Sequence, residues 1–447
     1  MKAMHSELFR ELIYAYHNDT FEERVSELLK DPNIHKEALA KTISHLCGVD
    51  IDYTDNFSEA LKSAIITYEA NNRVVNKIQD CPTDCPDPSG RTHCQESCPF
   101  DAIIWDSEKS TTVIDNDACT GCGFCVEACP SGSLLDRTEF IPLLELFKNK
   151  EPVIAAVAPA IAGQFGDATL DQLRTSFKKL GFIDMFEVAF FADMLTLLEA
   201  VEFDHLVHDK DDLMITSCCC PMWVGMIKQI YGDLAKHVSP SVSPMIAAGR
   251  VLKRLNPKVK VVFIGPCIAK KAEVKQPDLI GDIDFVLTFA EVQEIFDTFE
   301  ITPSELDPTP TTEYAAREGR LYARTGGVSL SVYEAVNRIF PEKSELFNAV
   351  QANGVVECKN ILAKVKNGEL KSNFLEGMGC VGGCVGGPKA ILPKEEGRIK
   401  VDETAEAAKV KIALDNETMK SILAKIGINS VDDFKDHEKA KIFQREF

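Results

Sequence analysis

Eight of the sixteen cysteines fall between Cys81 and Cys129, as Cys81-x3-Cys85-x8-Cys94-x3-Cys98-Pro99 and then Cys119-x2-Cys122-x2-Cys125-x3-Cys129-Pro130. Thiols at such short spacings favour metal clusters over a disulfide scaffold. The second run is the bacterial 4Fe-4S spacing, in which one loop wraps three iron corners and the fourth cysteine crosses to another cluster. By that rule Cys119, Cys122 and Cys125 pair with Cys98, while Cys81, Cys85 and Cys94 pair with Cys129. Tetrahedral zinc is the alternative for four thiolates, but eight cysteines with two Cys-Pro endings fit paired clusters better. His93, beside Cys94, is read as an exposed loop residue and not as a ligand.

The segment 76–140 is therefore expected to be a small α+β ferredoxin-like domain whose two 4Fe-4S clusters form an electron wire. A net charge of -20 argues against nucleic acid or an anionic membrane as the main partner. It leaves room for a local basic patch that docks an acidic redox protein. The longest apolar run, Pro152 to Gly163, is well short of the ~20 residues that cross a bilayer. Met1 to Arg10 carries no apolar core of a secretory signal. A soluble, cytoplasmic protein is expected.

The rest of the chain divides by pattern. Residues 1–75 are amphipathic at helical spacing, as in Leu8-Phe9, Leu12-Ile13 and Val25, Leu28-Leu29, and are expected to form short helices of unassigned role. Cys47, alone there, reads as a buried apolar thiol. Residues 150–390 alternate apolar strands with helices. Val153 to Val157, Leu213 to Ser217, Val259 to Gly265 and Phe285 to Thr288 are the clearest strands, and they predict an α/β domain of parallel sheets flanked by helices. Residues 391–447 are charged, with an amphipathic stretch near Met419 to Ile426, and are expected to form a peripheral helical tail.

Three cysteine islands punctuate the α/β region: Thr216-Ser217-Cys218-Cys219-Cys220-Pro221-Met222-Trp223, Gly265-Pro266-Cys267-Ile268-Ala269-Lys270-Lys271 and Glu376-Gly377-Met378-Gly379-Cys380-Val381-Gly382-Gly383-Cys384-Val385-Gly386-Gly387-Pro388. Loops that follow strands gather at the C-terminal edges of parallel sheets, where α/β folds place their sites. Glycines around Cys380 and Cys384 permit close backbone approach to a bulky group. Together the islands resemble the three signature loops of the FeFe-hydrogenases. The resemblance spans about Cys81 to Pro388 and includes Ala158-Pro159, Phe191-Ala192-Asp193 and Thr325-Gly326-Gly327-Val328.

That resemblance implies an H-cluster: a 4Fe-4S cluster held by Cys220, Cys267, Cys380 and Cys384, with Cys384 bridging to a diiron subcluster that carries CO, cyanide and an azadithiolate. It makes Cys219 the proton-transferring thiol and places Glu202, Ser239 and Glu199 on a proton relay, in the order Cys219, Glu202, Ser239, Glu199. Glu199 and Glu202 share a face if their segment is helical. Lys270, Met378, Pro266 and Ala158 are implied to surround the cofactor, with Lys270 contacting a cyanide and Met378 packing on the diiron group. Gly265, Ala160 and Met222 depart from the commonest pattern, where methionine, serine and glycine stand. With Cys218 in place of the usual serine, they point to a divergent, group B-like subgroup. The extra thiol is expected to loosen the loop and let the Cys219 sulfur protect the open iron from oxygen.

The function so implied is reversible interconversion of H2 with protons and electrons, with maturation proteins and a ferredoxin or similar carrier as partners. A slow hydrogen sensor on the same cofactor is one alternative. An iron-sulfur assembly protein without the diiron site is another, disfavoured because such a protein needs no proton path.

Overall fold

Ahead of Val75 the amphipathic repeats fold, among the described residues, into the helices Ala3–His17, Phe21–Leu28, Lys36–Leu46 and Phe57–Ile66. Phe9, Leu12, Ile13 and Tyr16 recur at helical spacing and are buried on one face of the first. The computed structural model describes all residues except 1, 2, 33, 34, 71, 72, 83, 84, 86–89, 217, 218, 312, 313 and 447. Cys218 thus lies outside the described residues.

The chain groups into two units, Met1–Glu151 with Cys267–Gln276 and Phe285–Thr302, and Pro152–Pro266 with Pro277–Asp284 and Pro303–Phe447. Segments 1–75 and 76–140 accordingly belong to one unit. In it, Val75–Lys77 pairs antiparallel with Leu134–Asp136, and Ile103–Asp106 forms a hairpin with Thr111–Ile114. A small core of Val74, Ile103, Cys125, Val126 and Leu134 also takes in Ile268, the residue after Cys267. The 267–276 segment is fastened by buried charges. Lys271 Nζ lies 3.1 Å from Asp136 and 2.9 Å from Glu291, and Lys275 Nζ lies 2.7 Å from Glu139. Removing one partner of such a pair costs about 3–5 kcal/mol, because the other charge stays buried.

The second unit holds two sets of parallel strands. Val153–Val157 lies between Asp184–Glu187 and Lys260–Gly265, and Phe374–Met378 lies between Ala349–Asn353 and Met214–Ile215. Val153–Val157 and Phe374–Met378 are buried along their whole length, as strands covered on both faces require. Of the expected strand Leu213 to Ser217, whose last residue lies outside the described residues, Met214–Ile215 is strand; it pairs with Phe374 and Leu375, and Ile215 also bridges Val238. Behind these strands the helix Val188–Leu206 is buried over sixteen of its nineteen residues. The N-terminal end of the helix Gly327–Ile339 is held by the buried Glu376 carboxylate, which accepts from the Gly326 and Ser329 amides at 2.8 and 2.7 Å.

The expectation of a peripheral tail is overturned. Val401, Ala405, Met419, Leu423, Phe434 and Phe443 are all buried. Backbone bonds from Val242 to Phe443 and from Arg445 to Pro240, both 2.8 Å, stitch the segment near Gln444 alongside Ser239–Val242. The charges that made the tail look solvated lie on its other face, while well-spaced apolar residues fill the core.

Candidate active site

Within the first unit, Cys98, Cys119, Cys122 and Cys125 line one small cavity, walled by Val75, Phe100, Ala102 and Ile103. This is the quartet assigned by the crossing rule. Burial pushes the Cys122 thiol up to about 12 and raises Cys125 as well, so a cation must displace their protons on binding. The other quartet sits among polar groups. Thr92 Oγ1 lies 3.1 Å from Cys94 Sγ and Ser131 Oγ lies 3.3 Å from Cys129 Sγ. Burial, then the charges of Cys81, Cys94 and Cys129, raise Cys85 to about 11. Burial also acts upward on Cys81, but hydrogen bonds from Lys77 and Thr112 outweigh it and hold that thiol down at about 7. Among the described residues no three His, Cys, Asp or Glu side chains stand close enough to share one metal ion. His93 is exposed at the start of the helix His93–Ser97.

In the second unit the parallel register sends two cysteine loops off the same sheet edge. Phe374 pairs with Met214 and Leu375 with Ile215, so the loops after Ile215 and after Met378 leave side by side. The Gly379 amide donates to Cys220 Sγ at 3.3 Å. Burial raises the Cys220 thiol, as does the nearby charge of Cys384 to a smaller degree. Bulk facing glycine sets this geometry. A Cβ on Gly377 would lie 2.1 Å from the Trp223 ring, and one on Gly379 would lie 2.8 Å from Met222 Cβ. On the other strand set, the Ala158 amide donates to Ile264 at 2.8 Å and the Lys389 amide to Pro266 at 3.0 Å, which brings the end of the glycine loop against Pro266. A Cβ on Gly265 would lie 2.7 Å from the Phe263 ring. Ala160 is fully buried, and Met378 is buried at the end of its strand.

Glu199 and Glu202 lie on the helix Val188–Leu206 and both are buried. Thr216 Oγ1 donates to Glu199 Oε1 at 2.9 Å. Ser239 Oγ donates to Glu202, and Ser241 Oγ reaches the same carboxylate at 3.2 Å. Gln444 Nε2 donates to Glu202 Oε1 at 3.4 Å. Burial raises the Glu202 carboxyl to about 7, outweighing these hydrogen bonds. The structure thus joins Ser239 directly to Glu202. It adds Thr216, Ser241 and Gln444, none of which the sequence singled out, and it sets Glu199 toward the Cys219 loop through Thr216. Cys219 Sγ is 3.8 Å from the Tyr322 carbonyl. Trp223 Nε1 donates to the Thr216 carbonyl at 2.9 Å and pins the start of the loop.

Cys267 and Lys270 belong to the first unit. Lys270 is buried and its ammonium lies 2.6 Å from Glu273 Oε2, one turn on along the helix Ala269–Glu273. Cys47 is fully buried, and burial raises its thiol well above the usual range. Cys358 was not singled out from sequence. It is buried, with its Sγ 3.5 Å from the Met378 carbonyl. Among the described residues no disulfide joins any of the cysteines.

With this geometry in place, comparison with known proteins is direct. The family described as iron only hydrogenase large subunit, C-terminal domain, matches residues 151–388, and a 4Fe-4S dicluster domain matches residues 90–133. The first match covers more than half of the chain, which belongs to the iron-only hydrogenase large-subunit family. It is 26% identical over 326 residues to the NADP-reducing hydrogenase subunit HndD of Solidesulfovibrio fructosivorans, covering 60% of this chain and 55% of that one. It is 27% identical over 301 residues to iron hydrogenase 1 of Clostridium pasteurianum, covering 56% and 52%. The chain thus spans about half the length of these relatives. Cytosolic iron-sulfur assembly component 3 of Rattus norvegicus is also similar, 26% identical over 345 residues, covering 63% of this chain and 72% of that one. Among solved structures, a variant of [FeFe]-hydrogenase HydA1 from Chlamydomonas reinhardtii superposes with a TM-score of 0.54 at 22% identity, covering 66% of this chain and 93% of that one. The fold is that of the FeFe-hydrogenase catalytic domain joined to a dicluster domain. Among the described residues, no helix is long and apolar enough to cross a membrane.

Proposed function

We propose that this chain is an FeFe-hydrogenase of a divergent, group B-like kind, which interconverts H2 with protons and electrons. The observation that carries the proposal is the pair of buried glutamates on one helix. Glu199 is bonded to Thr216 at the foot of the Cys219 loop, and Glu202 is bonded to Ser239. A protein that only assembles clusters has no use for titratable groups aligned in this way. With its carboxyl raised to about 7, Glu202 is poised to take and release protons near neutral pH.

In this proposal Cys220, Cys267, Cys380 and Cys384 hold the active-site 4Fe-4S cluster, and the two quartets of the first unit hold the other clusters. When bound, the diiron group with its CO, cyanide and azadithiolate ligands supplies the hydrogen chemistry, and the 4Fe-4S clusters carry the electrons. Cys219 exchanges a proton at its sulfur. Glu199, reached through Thr216, stands at the loop end of the relay, and Glu202, with Ser239 and Ser241, stands at the far end. This reverses the order of the two glutamates expected from sequence. Trp223 and Glu199 hold Thr216, which fixes the start of the Cys219 loop. Met378, Pro266 and Ala158 shape the pocket, and Lys270 offers a cation once it exchanges its bond to Glu273. A soluble ferredoxin-type carrier takes the electrons in an anaerobic cytoplasm, after maturation proteins have loaded the diiron group.

The iron-sulfur assembly relatives support a second reading, with no diiron group. Anaerobic maturation followed by infrared spectroscopy and an H2 assay separates the two. CO and cyanide bands with H2 turnover are expected. Their absence from protein that carries its full complement of 4Fe-4S clusters would leave the assembly reading.

A further inference from the structure

The two quartets of the dicluster domain differ in a way that the resemblance does not predict. Lys77 Nζ lies 2.8 Å from Cys81 Sγ and 2.8 Å from Thr112 Oγ1, so the ammonium is fixed against a ligand thiol by a second bond. Hydroxyls of Thr92, Thr112 and Ser131 approach Cys94, Cys81 and Cys129 at 3.1, 3.6 and 3.3 Å. The Cys98, Cys119, Cys122 and Cys125 site is walled instead by Val75, Phe100, Ala102 and Ile103. Its sulfurs accept mainly from backbone, the Ala102 amide lying 3.3 Å from Cys98 Sγ and the Gly121 and Phe124 amides bonding Cys119 and Cys122, with Thr120 also beside Cys122, and the residues that line the cavity carry no cation.

We propose that Lys77 splits the potentials of the two clusters, holding the Cys81, Cys85, Cys94 and Cys129 cluster at the higher potential and making it the electron exit. Reduction adds one electron to a cluster and breaks no bond. A fixed cation and sulfur-directed hydrogen bonds stabilise the added negative charge, whereas apolar burial disfavours it. Position agrees with this polarity. Lys77, Thr111 and Thr112 line an open surface groove, so the cationic site faces solvent. The apolar site faces the other way along the chain. A Cβ on Gly123 would lie 2.3 Å from Ile268 Cδ1, and Ile268 is bonded to Cys267, the proposed active-site ligand. Electrons released by H2 oxidation would therefore pass from the apolar cluster downhill to the cationic one.

The inference rests on the two-cluster assignment but not on H2 turnover, so its test uses the full chain expressed without the diiron group. Potentiometry with dithionite, followed by electron paramagnetic resonance, should resolve two one-electron steps from the dicluster domain beside a third from the proposed active-site 4Fe-4S cluster, which is identified by its loss in Cys384→Ala. Lys77→Met should lower the upper dicluster step alone, by at least about tenfold in its equilibrium constant, or ~59 mV. Lys77→Arg should restore most of the shift. Thr112→Val, which keeps the charge but frees it, should move the same step by less. A single dicluster step in the parent protein, a shift of the lower dicluster step, or no shift in Lys77→Met would overturn the proposal. Iron content below two clusters in the Cys384→Ala protein would overturn the pairing itself, while a missing H2 activity would bear only on the proposed function.

Discussion

In the first unit, Cys98 and the Cys119, Cys122 and Cys125 loop reach one cavity from a short stretch of chain. In the second, the Gly379 amide finds Cys220 Sγ across 159 positions. The two sites are consequently held by different physics. A local loop wraps the first, and its spacing alone sets the distances between thiols. The second exists only because large side chains close on bare backbone, Trp223 on Gly377 and Met222 on Gly379, so its accuracy depends on core packing away from the sulfurs. The loop site should tolerate changes in the α/β core, and the packed site should not.

The largest test of this contrast is Cys219→Ala. It should lower H2 turnover by roughly 100- to 10,000-fold, the usual worth of a positioned proton-transfer group. Paramagnetic signals of the first unit's clusters should remain intact; near-normal turnover would remove Cys219 from the relay. Trp223→Ala comes next. Losing a fully buried tryptophan should cost about 3–5 kcal/mol in denaturant unfolding of the second unit, and it should blur the infrared bands of the active site while leaving the dicluster signals unchanged. Equal damage to both would break the comparison.

Glu202→Gln sharpens it through pH. Burial raises the Glu202 carboxyl from 4.5 to about 7, so the folded state binds its proton more tightly than the unfolded state. That contribution to stability is fully present below about pH 4.5 and is lost as pH rises through about 7. The Gln variant, which cannot ionise, should be spared up to ~3 kcal/mol of this loss. Parallel stability curves for parent and variant across that window would count against a raised carboxyl. Gln444→Leu should have the smallest effect, about 1 kcal/mol for one lost hydrogen bond. It should also raise the Glu202 carboxyl further, measurable as a shift in the pH dependence of its infrared band.

How much of this the sequence carried follows the same division. The grouping of Cys98 with Cys119, Cys122 and Cys125 follows from spacing and lines one cavity, because distances within a loop are set by chain length. The strands Val153–Val157 and Phe285–Thr288 take the bounds their apolar runs suggested, and Glu199 and Glu202 do share a helix. Contacts between distant segments left no local trace. Gln444 is an ordinary polar residue until the chain returns beside Pro240. Glu376 sits in a quoted motif, yet its role as a helix cap appears only when Gly326 and Ser329 are placed. Lys77 was the most findable omission, since a lysine four positions ahead of a cluster cysteine is within side-chain reach of its sulfur.

The bond between Gln444 and Glu202 spans 242 positions, and during synthesis this separation becomes a delay. Glu202 is made and its helix can bury long before residue 444 leaves the ribosome. Until then one edge of the acid's pocket lacks the segment that later lies alongside Ser239–Val242. The pocket around Glu202 is therefore closed only after a further 242 residues have been made.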